Sequence, residues 1–337
     1  MPRHRHACAV TRRSALPLLA GTLSALALLA GPLGLAPARA QMSDLKIMAP
    51  ASPGGGWDQT ARSMQQALVT AGLVRSVQVT NVTGAGGTIG LAQFINGAKG
   101  DPSQLMVMGY VMVGAILTNK APVSLDQVTP IARLTEETEA IVVPAASPIK
   151  TIQELAAAIK ANPGKVTWSG GSAGGVDHIA AALFAQMAGA DPSKINYIPF
   201  SGGGEALAAV LGGKVTAGIS GYGEFESQVK AGKLRVLAVT AAERLDGVDA
   251  PTLTEAGIAL KITNWRGVMA PAGLTPEQRK TLVDLVEKMA RSPAWQDILK
   301  QKGWDDALLT GDAFADLLKQ ETARTAEVLK SVGLVKP

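Results

Sequence analysis

Ser172 stands in Gly170-Gly-Ser-Ala-Gly174, between a stretch that reads as a strand and one that reads as a helix, with His178 six residues further on. This is the setting of a nucleophile elbow, where a sharp strand-to-helix turn presents a serine to a substrate carbonyl. A serine hydrolase also needs a base that reaches the hydroxyl from a separate loop. His178 is the one candidate, and from the first turn of the following helix it points along that helix. Ser172 then reads as a loop hydroxyl donating to a ligand, and His178 as a helix residue satisfying a local hydrogen bond; both are kept as ligand-binding candidates. The competing reading is an exported α/β serine hydrolase using this Gly-Gly-Ser-Ala-Gly loop.

A second chemistry recurs along the chain. Glycine clusters stand where strands hand over to helices: Gly54-Gly55-Gly56, Gly84-Ala-Gly86-Gly87, Gly170 to Gly175, and Gly202-Gly203-Gly204. Glycine lets a backbone turn tightly and approach a ligand. The helix start that follows offers unpaired N–H groups and a positive dipole end to an anion. The first loop lacks the Gly-Lys-Ser/Thr ending of a phosphate loop and has no lysine, which favours a smaller anion such as a carboxylate. Gly84 to Gly90 fails as a dinucleotide fingerprint, because its third glycine position holds Ile89. No cofactor is expected. Asp58 and Glu205 each follow a glycine triplet, either as ligand contacts or as offsets to the helix dipole. Trp57, Tyr110, Tyr222 and Trp265 stand at loop or element ends, where they could wall a cleft.

Positioning such loops in one place requires repeated βα units. Apolar runs at Leu45–Met48, Ser76–Val82, Leu105–Met108, Ile131–Leu134, Ala140–Pro144, Lys165–Ser169, Ile195–Ile198, Val215–Ser220, Leu234–Val239 and Gly267–Ala270 read as strands. Helical periodicity separates many of them, and the tail reads as three helices, Pro276 to Ala290, Pro293 to Lys302 and Asp312 to Val332. The pattern predicts an α/β protein of parallel sheets flanked by helices, with ligands outside the carboxyl ends of the strands.

The N-terminus reads as an export signal. A basic start, an apolar run from Ala15 to Leu35 and the Ala38-Arg-Ala40 ending predict cleavage after Ala40, by the Sec or Tat route, and a periplasmic protein. The segment carries five of the 32 lysines and arginines and none of the 27 acids, so it leaves 27 of each sign. The apparent basicity therefore gives no support for nucleic-acid binding. The one cysteine, Cys8, and two of the three histidines leave with it. Thiol chemistry, disulfides and His- or Cys-based metal sites are excluded by composition.

Together the loops carry a recognisable pattern. The sequence resembles the substrate-binding proteins of tripartite tricarboxylate transporters, the TctC or Bug family, over essentially the whole mature chain. Pro53-Gly-Gly-Gly-Trp-Asp58 with Ala61-Arg62, Gly84 to Gly87, Gly170 to His178, and Phe200-Ser-Gly-Gly-Gly-Glu-Ala206 carry the likeness. Asp177 departs from it, standing where a small or polar residue is usual. The resemblance implies a two-lobed, type II-like periplasmic-binding-protein fold, each lobe a mostly parallel sheet flanked by helices. It implies one lobe of residues 41–139 plus 266–337 and another of 140–265, with the chain crossing near Thr138 to Val142 and returning near Trp265 to Val268. It further implies a monomeric binding protein, not an enzyme, that closes on a small carboxylate, citrate-like, and hands it to membrane permease subunits. The ligand carboxylate is expected on Pro53 to Asp58 and on Ser201 to Glu205. Arg133 and Arg266, near the crossings, are expected either to pair with acids or to supply ligand charge.

Overall fold

The computed structural model describes residues 44–335. The expected signal segment and its cleavage point lie outside the described residues. The first sheet-forming stretch runs β1 (Asp44–Ala49), α1 (Gly56–Thr70), β2 (Ser76–Asn81), α2 (Thr88–Gly97), β3 (Gln104–Gly109), α3 (Tyr110–Thr118) and β4 (Val128–Glu136). Next come β5 (Glu139–Pro144), α4 (Ile152–Ala161), β6 (Thr167–Gly170), α5 (Val176–Met187), β7 (Asn196–Pro199), α6 (Gly203–Leu211), β8 (Ala217–Gly221), α7 (Tyr222–Lys230) and β9 (Leu234–Val239). The chain ends with β10 (Arg266–Pro271), α8 (Pro276–Ala290), α9 (Pro293–Lys302), β11 (Asp305–Thr310) and α10 (Gly311–Ser331).

Two lobes result, each built on one sheet. The first sheet has the order β11-β4-β10-β3-β1-β2 and the second β7-β6-β8-β5-β9. Both are mixed rather than mostly parallel. In the first, β1 pairs in parallel with β2 and β3, while β10 and β11 pair antiparallel. In the second, β6 pairs in parallel with β7 and β8, while β5 runs antiparallel to β8 and β9. Of the antiparallel members, β5 and β10 enter a sheet directly after the chain has crossed from the other one. They arrive from the opposite end, without the crossover helix that a parallel neighbour requires.

The crossings lie side by side. Glu137 and Asn264 exchange backbone hydrogen bonds of 3.1 and 2.8 Å, and Thr138 bridges Thr263. Around them the sheets bury alternate residues on opposite faces, as period two requires. In the second lobe Ile141, Trp168 and Ile219 pack with Phe184 of α5, whereas Val142 and Val236 pack with Val210 and Phe225 of α6 and α7. Trp168 meets Phe184 edge-on at 5.9 Å. The first lobe closes over Ile47, Leu105, Val107 and Ile131 with Met64, Phe94, Trp295 and Phe314.

Two elements escape the sequence reading. Helix α3, Tyr-Val-Met-Val-Gly-Ala-Ile-Leu-Thr, is apolar all round and largely buried, so it shows no amphipathic period. Strand β11 opens on Asp305 and Asp306 and lies at a sheet edge, where alternation is weak.

Candidate functional site

The helices divide by how they begin. Helices α4, α8 and α9 start on Thr151, Thr275 and Ser292, whose hydroxyls accept first-turn N–H groups. Helices α1, α2, α5 and α6 start on Gly55, Gly87, Gly175 and Gly202, with no side-chain cap. Their first-turn donors have no partner within the helix. Residues at or just before these uncapped starts line one cleft between the lobes, with a cavity volume of about 70 Å³. Gly56, Trp57, Gly86 and Gly87 face it from the first lobe; Ser172, Ser201, Gly202 and Gly203 face it from the second. The lobes are closed on one another. A Cβ built on Gly202 would stand 3.5 Å from the Gly55 Cα, and Thr118 donates to the Ala173 carbonyl at 3.3 Å.

Side chains from within the helices hold the loops in shape. Asp58 accepts from the Gly54 N–H at 2.8 Å, and Glu205 from the Ser201 N–H at 3.1 Å. His178 does the same with the Gly174 N–H, through Nδ1 at 3.1 Å. In all three the third helical residue reaches back four positions, to the residue before the cap. Asp58 and Glu205 are therefore loop straps, as the helix-end alternative holds, and neither lines the cleft. Asp58 is buried and also accepts from Arg62 and Asn81. Burial pushes its carboxyl up, but the hydrogen bonds from Arg62, Gly54 and Asn81, with the charge of Arg62, hold it below the usual carboxylate range.

His178 has no lone pair free for Ser172. A neutral imidazole has one acceptor nitrogen, and here it takes the Gly174 N–H. Desolvation pushes His178 down to about 4, so the ring is neutral near pH 7. It stacks on Tyr197 at 4.1 Å, outside the cleft lining, and Tyr197 donates to the Gly171 carbonyl at 2.7 Å.

The remaining sequence candidates fall elsewhere. Pro53, Gly54 and Gly204 are exposed, and Gly55 is buried against Gly202 at the seam between the lobes. None of the four lines the cleft; Gly56 and Trp57 of the first loop and Ser201, Gly202 and Gly203 of the second do. Tyr110 is buried against Trp265 at 6.4 Å and lines a separate cavity with Arg133, Glu321 and Arg324. Tyr222 packs on the core of the second lobe. Arg133 pairs with Glu136 at 2.8 Å.

The cleft also gathers Asp177, Ser220, Glu224 and Asn264, which are absent from the sequence candidates, and Arg266, which was expected to pair with an acid or to supply ligand charge. Arg266 opens β10 and forms a buried ion pair with Glu137 at 2.5 Å, while its Nη1 has no hydrogen-bond partner. The guanidinium also lies over the Trp304 ring at 5.3 Å. It stands so close behind the first glycine loop that a Cβ on Gly56 would lie 2.6 Å from Nη2. Glu224 is half-buried and accepts from Ser220 Oγ at 2.7 Å; Asp177 accepts from the Gly171 N–H at 2.7 Å. Desolvation, with the charge of Glu137, pushes Glu224 up to about 7, and burial pushes Asp177 to about 6. Behind them Glu139 is fully buried with neither carboxylate oxygen partnered, and desolvation pushes it well above the usual range. Glu224 has a local signal, an acid in the first turn after a strand ending in glycine. Asn264 has none, and Arg266 only its place beside the expected return crossing, which alone brings both to the cleft.

Against this geometry the comparisons are consistent. A family model described as the tripartite tricarboxylate transporter family receptor matches residues 60–334. Protein BugT of Bordetella pertussis is 28% identical over 294 residues, covering 86% of this chain and 89% of BugT. The solved periplasmic binding protein BugD is similar at 25% identity with a TM-score of 0.78, covering 88% of this chain and 99% of BugD. MatC from Rhodopseudomonas palustris, solved with bound malate, shares the fold at 23% identity and a TM-score of 0.75, covering 85% and 99%. The chain belongs to the tripartite tricarboxylate transporter receptor family.

Proposed function

We propose that this protein is an exported, non-catalytic receptor of the periplasm that captures a small carboxylate between two lobes and delivers it to membrane permease subunits. The observation that supports this reading best is the set of uncapped, glycine-started helices lining one cleft from both lobes. A helix N-terminus favours an anion, and donors from two lobes meet around a ligand only when the cleft is shut. Ligand preference for the closed form then drives closure. The hinge is assigned to the paired crossings, residues 137–138 and 263–264, which join lobes of residues 41–139 plus 266–337 and 140–265. Membership of a transporter receptor family and a fold neighbour that carries malate agree with a carboxylate. The cleft volume restricts it to a small one, since a single water needs roughly 10–15 Å³ of such space.

Thermal-shift screening of small mono-, di- and tricarboxylates, followed by calorimetric titration of the best, tests this. A saturable shift with one site per chain is the expected result. A protein that binds none of them is not this receptor.

A further inference from the structure

The two glycine loops that close the cleft are backed by opposite charges. Arg266, with its unpartnered Nη1, stands behind Gly56 in the first lobe. In the second lobe the Glu224 carboxylate lies against Gly203, so closely that a Cβ there would overlap it, and Asp177 lies beside Gly171. Asn264, also 7% exposed and lining the cleft, has an Oδ1 with no hydrogen-bond partner. Both walls thus offer backbone donors, and the wall of the second lobe adds acid side chains that accept. A ligand carrying only carboxylates would set negative charge against Asp177 and Glu224 in a desolvated space, where like charges repel strongly. Arg266 offsets little of this, since Glu137 already takes its charge at 2.5 Å.

Resting on the carboxylate-receptor reading, we infer that the ligand is a small amino-carboxylate, its carboxylate on the Gly56 side and its ammonium held by Asp177, Glu224 and Asn264. An ammonium has three N–H donors and no acceptor, and three acceptor side chains line this wall. Asp177 and Glu224 spend Oδ2 and Oε2 on Gly171 and Ser220, and each carboxylate keeps a second oxygen that accepts. The bound ammonium would also neutralise an acid group that lacks a free cation of its own. This deepens the role of Asp177, the residue that departs from the family pattern.

Matched pairs test it by calorimetry at pH 8: L-aspartate with succinate, L-glutamate with glutarate, β-alanine with propionate. The expected result is at least one pair in which the amino member binds tenfold or more tightly than its parent acid. Asp177→Asn and Glu224→Gln should each remove that preference, and parent-acid binding should hold or strengthen in both. The pH gives an independent readout. Asp177 is faced by Glu137, Glu139, Glu224, Tyr197 and Arg266, and Glu224 by Glu137, Glu139, Asp177 and Arg266. With burial holding the two acids at about 6 and about 7, lowering the pH to 5 protonates them. The amino member should then lose at least tenfold in affinity, and the parent acid should not. Parent acids that bind as well as or better than every amino partner overturn the inference and leave the carboxylate receptor standing. Failure of every member of every pair overturns both.

Discussion

Gly55 and Gly202 meet across the cleft, a side chain on Gly202 having only 3.5 Å before the Gly55 Cα. The lobes therefore close backbone against backbone, and bulk at this seam keeps them apart. Gly203→Val should abolish carboxylate binding, because its Cβ would overlap Glu224 and reach within 2.8 Å of Ser220 Oγ. Gly55→Val should weaken binding at least tenfold from the other side. Gly55 has φ −72°, so the change brings no backbone strain; the left-handed residue of this loop is Gly54, at φ 83°. Calorimetry alongside circular dichroism checks both. Native-like binding by the two folded variants would place the ligand elsewhere.

Ser172→Ala should leave ligand affinity within about tenfold of the original, the worth of roughly one hydrogen bond. Fluorophosphonate probes should leave Ser172 unlabelled, since the His178 acceptor nitrogen is occupied by the Gly174 N–H. Stoichiometric labelling of Ser172, seen by mass spectrometry, would revive the hydrolase.

Asp58→Ala should cost about 1–3 kcal/mol, as it strands the donors of Gly54 and Asn81. The folded-state pKa of Asp58 is depressed, so its contribution is present above the ordinary carboxylate value and is lost as pH falls through the folded one. Urea titrations at pH 7 and pH 3 should show the gap between variant and parent narrowing in acid. A gap that stays constant would mean that Asp58 acts through packing alone.

Glu224 works in the opposite sense. Its folded pKa of about 7 lies above the ordinary 4.5, so the ligand-free fold holds an extra proton between the two. Stability linked to it should fall as pH rises from about 4.5 to 7. His178, lowered to about 4, acts the other way over about pH 4 to 6.5, so the comparison must be with Glu224→Gln. Thermal melts across this range should show a flatter or less steeply declining profile for the variant. Parallel profiles would contradict the assignment.

Mass spectrometry of protein recovered from the periplasm should give a chain that begins at Gln41, as the Ala38-Arg-Ala40 ending predicts. A chain that keeps its first residues would refute export by cleavage.

The alternation of strands and helices was legible without coordinates, because period-two and period-3.6 patterns and the glycine punctuation are local properties. Leu234–Val239, Pro276–Ala290 and Pro293–Lys302 are read to the residue. The glycine loops were legible for the same reason. Helix α3 was not, since a segment buried on all sides has no polar face to give its period away. Nor could the sequence say which loop residues turn inward. For Asp58, His178 and Glu205 the sequence leaves ligand contact and a local role both open, and in the fold each accepts from an N–H four residues behind it. Only the return of the chain through residues 263–266 brings Asn264 and Arg266 to loops some two hundred residues earlier in the chain. Only the pairing of the two crossings sets Arg266 against Glu137, and only the packing of the second lobe sets Asp177 and Glu224 against the same space. Local chemistry wrote the donors into the chain; the charge of the cleft arises from contacts distant in sequence, where desolvation makes each buried carboxylate depend on its neighbours.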